Sequence, residues 1–200
     1  LREIRRKGKR LQEHGRVEYA TLEAEDDLDA WLACFLQLEQ SGWKGRDSSA
    51  MASNPTDKNF FMKVAHEAFR RGQLIMQILM LNRQPIAQYC VFTSGESAYA
   101  FKRAYNEDFA RYSPGILLEM ERLRYLSART DLAWMDSCSV HDSFHTQMWN
   151  ERFTIESVVC SSGCWKGDLL LAALAVWKWL HRQLRNRACA ISLAVPTGVK

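Results

Sequence analysis

The sequence predicts a mixed α/β domain whose largely antiparallel sheet is flanked by helices. Three observations carry that expectation. Between residues 74 and 105, apolar runs alternate with the short turns Asn82-Arg83-Gln84-Pro85 and Ser94-Gly95-Glu96, which makes three strands antiparallel neighbours. Residues 114–127 then carry an amphipathic helical pattern, and a strand pattern follows at 132–136. A strand, a crossover helix and a second strand place that last strand parallel in the same sheet.

Two hundred residues with 47% apolar content and seven Trp are enough for a packed core without staples. The net charge of +4 is local. Arg2, Arg5, Arg6, Lys7, Lys9, Arg10 and Arg16 face only two Glu within residues 1–16, and the remaining 184 residues sum to −1. The basicity belongs to an N-terminal linker helix or arm, so the domain itself has no nucleic-acid signature. The chain opens without Met and without a signal-peptide pattern, which suggests a piece of a longer protein. Its longest apolar run, 169–177, has nine residues, about half a membrane span, and no transmembrane segment is expected. Six Cys in a chain this size are not a secreted disulfide framework, Cys34 and Cys90 read as core thiols, and the default compartment is a reducing cytoplasm.

Taken in order, 17–24 alternates as a strand. Asp26-Asp27 open a helix whose Leu28, Trp31, Leu32, Phe35, Leu36 and Leu38 form a broad apolar face, stopped at Ser41-Gly42. Trp43-Lys44-Gly45-Arg46 and the aperiodic 47–56 read as a loop. A second helix, 58–71, turns Phe60, Phe61, Val64, Ala65, Ala68 and Phe69 inward and stops at Gly72. In the strand from 98, Tyr99, Phe101 and Tyr105 share one parity. Beyond 136 the pattern predicts a short helix at 142–149, a strand at 152–160, a long helix at 166–187, and a strand with a tail over 188–200. The expected domain spans 17–160, with 161–200 packed on it as a C-terminal helix and tail.

Four chemistries compete for these residues. Cys138-x2-His141 with Cys160-x3-Cys164 has the ligand types for zinc but not a recognised spacing, and His141 with His145 lacks the Glu of a zinc protease; no metal is expected. No nucleophile elbow, Walker loop or dinucleotide fingerprint occurs. Residues 176–182 mix Trp177 and Trp179 with Lys178 and Arg182, which suits a membrane interface, a phosphate backbone, or simply helix packing and dipole. The fourth is acyl transfer from coenzyme A, centred on residues 98–127. Ser113 is a good N-cap, Pro114 fits the first helical position and Gly115 allows close approach, so this helix start is either an anion site or an ordinary cap. Arg111-Tyr112-Ser113-Pro114-Gly115 offers the donor's phosphates a seat. Tyr105 and Tyr112 are candidate acids, and Asp136 and Glu119 candidate bases. Trp43, Lys44 and Arg46 are candidates for the acceptor side, where two cations would hold an anionic acceptor.

The order of elements and several residue groups resemble the GNAT-like acyltransferase domain of bacterial cellulose-biosynthesis-associated (CelD-like) proteins, and more distantly the Fem aminoacyl transferases. Those groups are Leu38-Glu39-x3-Trp43-Lys44-Gly45-Arg46, Pro85-Ile86-Ala87, Ser113-Pro114-Gly115-Ile116-Leu117-Leu118, Asp136-Ser137-Cys138 and Trp149-x2-Arg152, covering about residues 1–160. The resemblance implies a GNAT fold with acetyl-CoA or a longer acyl-CoA in a groove beside the strand from 98, with Arg111 to Ile116 gripping it. It also implies an amine acceptor, a small molecule or envelope precursor, and a second GNAT-like half ahead of this one. The chain departs from the family phosphate signature, Gln/Arg-x-x-Gly-x-Gly/Ala, having only Gly115 after Arg111 at a shifted spacing. A Fem-like transferase using aminoacyl-tRNA and a non-catalytic half are the alternatives.

Overall fold

The computed structural model describes residues 2–139, 151, 154–155, 158–161 and 163–192, with side chains described as far as His181. The chain divides into two compact units, Leu1–Met148 and Trp149–Lys200, whereas the sequence suggested borders at 16/17 and 160/161. The first unit is built on a five-stranded sheet in chain order: β1 (Val17–Thr21), β2 (Leu74–Leu81), β3 (Gln84–Ser94), β4 (Ser97–Tyr105) and β5 (Trp134–Asp136). Every pairing is antiparallel except β4–β5, which is parallel because helix α5 (Pro114–Ser127) carries the chain across between them.

The β2–β3 hairpin closes on Asn82 and Arg83 alone, at φ 51° and 65°, the backbone of a two-residue turn that follows the strand twist. Gln84 and Pro85, expected in the turn, already pair with β2. Asn82 also accepts the Arg16 N–H and donates to the His14 carbonyl, tying the hairpin to the chain's first helix, α1 (Arg2–Gln12).

Helices cover both sheet faces. On one, Leu11 of α1 and Leu117, Leu118 and Leu126 of α5 pack on Leu79, Tyr89, Val91 and Ala98. On the other, α2 (Leu28–Ser41) and α4 (Pro55–Arg70) bring Leu32, Phe35, Phe61 and Ala65 onto Met76, Cys90 and Ala104. The basic first segment is thus a docked helix, with Leu11 wholly buried. Asp27 caps α2 by accepting the Ala30 N–H. α4 starts three residues before the expected point because Asn54 accepts the Thr56 N–H and Pro55 takes the first helical position. Its Phe60 and Val64, expected inward, are exposed. Helical spacing gives the sheet-facing places to Phe61, Ala65 and Ala68 instead. Between α2 and α4, the expected loop contains one helical turn, α3 (Trp43–Arg46), and a 3-10 turn at Met51–Ser53. Gly45 is needed in α3, since a Cβ there would collide with the Gln40 carbonyl.

The expected single parity along β4 is broken. Cys90 pairs with Lys102 and Val91 with Ala100, so Phe101 is the extra residue of a β-bulge. Before the bulge, the Tyr99 ring meets Trp134 and Phe101 lies against Phe61 and Phe92 on the α2/α4 side. After it, Lys102 keeps to the α2 side and Tyr105 packs in the α1/α5 layer.

Under α5, Glu119 and Arg122 form an ion pair with neither side chain exposed, and the Arg122 guanidinium lies 4.3 Å from the Tyr89 ring centre. Burial, with the Glu119 carboxylate adding to it, pushes the Tyr89 hydroxyl up to about 12. In the second unit, α6 (Trp165–Ser192) extends through 188–192, where a strand was expected. Among the described residues no helix is long and apolar enough to cross a membrane. The helix expected at 142–149 lies outside the described residues, as does much of the strand expected at 152–160.

Glu119→Ala leaves Arg122 charged and buried. It is expected to cost about 3–5 kcal/mol, read as a lower urea midpoint.

Candidate functional site

The site follows from an unequal pair of strands. β5 pairs only with Ser97, Ala98 and Tyr99, while β4 runs on to Tyr105. Among the described residues, positions 100–105 therefore have no strand on the β5 side. At the far end of this opening stands the start of α5. At the near end stand Asp136 and Cys138, where the Cys138 thiol takes a hydrogen bond from the Ala100 N–H and Asp136 accepts the Cys138 N–H at 2.7 Å. Burial and the neighbouring Asp136 charge push that thiol up, against the pull of the Ala100 N–H.

Cations gather around the α5 start. Arg103 donates to the Gly115 carbonyl at 3.3 Å, and a Cβ on Gly115 would come within 3.0 Å of the Arg103 Cδ and Nε. Lys7 of α1 donates to the Ser113 hydroxyl at 2.9 Å, and the Arg111 guanidinium lies 4.7 Å from the Tyr112 ring centre. Ser113 itself is left-handed, at φ 54°, and its side chain does not cap the helix. The Lys7 ammonium engages the hydroxyl expected to do so. The Ser113 carbonyl accepts the Ile116 and Leu117 N–H groups, so the Ile116 amide is already satisfied.

The chain matches the acetyltransferase (GNAT) domain family over residues 1–144, most of its length. It belongs to that family. Among solved structures, AAC(6')-Iy in complex with the bisubstrate analogue CoA-S-monomethyl-acetylneamine is 11% identical, over 73% of this chain and all of that one, with a TM-score of 0.50. A Trypanosoma brucei acetyltransferase is 13% identical over 72% of this chain and 99% of its own, with a TM-score of 0.49. The Escherichia coli ribosomal-protein-S18-alanine N-acetyltransferase is 16% identical over 66% and 72%, with a TM-score of 0.46. At such identities the likeness speaks to fold. No curated protein sequence matches the chain significantly.

Within this GNAT domain the sequence-derived candidates separate. Arg111, Tyr112, Ser113, Pro114, Gly115 and Ile116 lie together at the α5 start, with Tyr112, Pro114 and Gly115 buried. Tyr112 bonds through its hydroxyl to the His14 Nε2 at 2.5 Å. Tyr105 lies six residues along β4 from Tyr99, the register partner of Asp136, which is about 20 Å of strand. Tyr105 and Asp136 therefore cannot serve one reacting atom. Glu119 is held by Arg122 beneath α5.

Trp43, Lys44 and Arg46 come together on α3, but both cations have partners. Lys44 meets Glu39 at 3.5 Å, and Arg46 meets Glu107 at 2.7 Å. Glu107 also accepts the Trp43 N–H at 2.7 Å, fastening α3 to the segment between β4 and α5. Its carboxyl is held below the usual range by the Arg46 hydrogen bond and then by the Trp43 N–H. Sequence reasoning missed Arg103 and Lys7. Strand alternation places Arg103 on the face of Tyr99, and only the bulge at Phe101 turns it to the α5 side. Nothing local marks Lys7. Among the described residues no group of three or more His, Cys, Asp or Glu could hold a metal ion, and His141 and His145 lie outside them.

Glu39 is the buried node that joins α2, α3 and β4. Burial pushes its carboxyl up, but the Lys102 hydrogen bond, the Met51 N–H and the Lys102 and Lys44 charges outweigh that and leave it below its ordinary 4.5. A folded value below the unfolded one gives stability that is present above pH 4.5 and lost as pH falls through the folded value. Glu39→Gln should cost about 2 kcal/mol at neutral pH. It should also flatten the acid limb of stability against pH, measured by urea unfolding at several pH values.

Proposed function

We propose that this domain is an N-acyltransferase that takes its acyl group from acetyl-CoA or a longer acyl-CoA and gives it to an amine. The observation that carries this is the parting of β4 from β5 beside the α5 start, in a chain of the GNAT family. The residues fit such a donor. A pantetheine arm has peptide-like amides, and the β4 edge over 101–105, which has no strand on that side among the described residues, offers it N–H and C=O groups in strand geometry. Arg103, Lys7 and Arg111 supply positive charge for the phosphates, at a helix start that adds its own. They do so where the glycine-rich signature is reduced to Gly115 alone. From the level of Arg103 to that of Tyr99 is about 13 Å along β4, a span for an extended arm.

The bound donor supplies a thioester carbonyl for attack. Asp136, half-buried at the end of β5, is the base proposed to take the proton from the attacking amine. Its neighbours on that face, Tyr99, Phe101 and Trp134, give the acceptor an aromatic wall that favours a cationic or ring-bearing amine. Glu119 and Tyr112 are proposed as supports of the architecture, and Tyr105 as a wall of the donor groove. Trp43, Lys44 and Arg46 border the acceptor side through the Glu39 and Glu107 anchors. A CelD-like placement, with an envelope or polysaccharide-precursor acceptor and a second GNAT-like half as partner, rests on the residue groups named above. Lys7 and Leu11 of α1 are engaged within the domain, which leaves less of the basic segment for the tRNA alternative.

Calorimetry with acetyl-CoA tests the donor site. Arg103→Ala is expected to weaken binding about tenfold or more, while Asp136→Asn leaves it unchanged. With primary amines as acceptors and release of the free thiol as readout, Asp136→Asn should lower kcat by about 10²–10⁴. Absence of acetyl-CoA binding to the full chain would remove the basis of the proposal.

A further inference from the structure

Helix α6 is not used by the proposed transfer chemistry, and its surface has a character of its own. Leu169, Leu170, Val176, Trp177, Trp179 and Leu180 are each between 47% and 65% exposed. A soluble helix does not leave that much apolar surface in water without a partner. Leu169, Ala173, Val176 and Leu180 fall at i, i+4, i+7 and i+11, one continuous stripe. Lys178 falls on the opposite side of the helix, and the sequence adds Arg182, Arg185 and Arg187 after it. Five Lys or Arg stand against a single Asp over the whole helix.

We propose that α6 lies in the plane of an anionic membrane surface, with its apolar stripe in the acyl-chain boundary and its cations toward the headgroups. Charge selects this occupant. A net positive helix that is long enough but not apolar enough to span still gains from apolar burial and from anionic lipid together. Trp177 and Trp179 are side chains that settle at the level of the headgroups. A nucleic acid would meet the cations but leave the apolar stripe wet. A second copy of the helix would bury a stripe, yet Leu171 and Leu174 make the first half apolar on its other side as well. The surface is independent of the donor cleft, so it stands whether or not acetyl-CoA binds.

The test uses the full chain and sedimentation with large vesicles, either pure phosphatidylcholine or phosphatidylcholine with about 30 mol% phosphatidylserine. Binding is expected to the anionic vesicles, to weaken with added salt, and to shift Trp emission to the blue. Lys178→Glu with Arg182→Glu should weaken it about fivefold per position, and Leu169→Asp with Leu180→Asp should abolish it. Both variants should keep the urea midpoint of the first unit, which separates loss of binding from loss of fold. Absence of binding to the anionic vesicles, equal binding to both kinds, or self-association that Leu169→Asp abolishes would overturn the proposal.

Discussion

A strand that is paired along one side only, with no strand among the described residues beside positions 100–105 on the other, is the constraint on which the first unit depends. β4 is fully paired with β3 along one edge, yet β5 leaves it after Tyr99. A strand edge left open is normally blunted by charge, by a bulge or by cover, because it invites pairing. Here a bulge at Phe101 and two cations, Lys102 and Arg103, occupy the open stretch, and α5 starts beside it. The bulge and the charges blunt the edge against pairing with other strands. The buried Glu119–Arg122 pair, wedged between α5 and Tyr89, fixes the helix that determines how far the strands part.

The charges divide by distance from that opening. Glu39 and Glu107 each gather a cation from a remote part of the chain, Lys102 on the first and Arg46 on the second, and Glu39 also meets its near neighbour Lys44. These contacts anchor α2 and α3 to β4 and to the turn after it. At the α5 start Arg103 instead meets the neutral Gly115 carbonyl, while Lys7 donates to the Ser113 hydroxyl and also pairs with the exposed Glu3 at 3.6 Å. Arg103 thus has no carboxylate among its described contacts, whereas Lys44, Lys102 and Arg46 are each held by one. On that ground the α5 start is a better candidate for an anion than α3.

Much of the architecture was legible because it is local. Turn residues and apolar period marked β2, β3, β4 and α5 within a residue or two, and α5 spans the expected 114–127. What depends on register was not legible. A bulge is a relation between two strands, so Tyr105 was assigned to the side of Tyr99 and stands on the other. Partners far apart in sequence were equally hidden. Arg46 reads as a solvated cation until Glu107, sixty-one positions away, is brought to it by the fold. Ser113 reads as a cap until Lys7 takes its hydroxyl and its backbone turns left-handed. The Ser-Pro-Gly segment lies at the α5 start as expected, and the fold brings Arg103 and Lys7 to it.

Whether the open edge of β4 receives the donor as an added strand is tested most directly by amide hydrogen exchange with and without acetyl-CoA. Exchange should slow on addition of acetyl-CoA at residues 101–105 and at the α5 start, with little change along β1 and β2. Protection confined to other elements, or none at these positions at saturating acetyl-CoA, would contradict it.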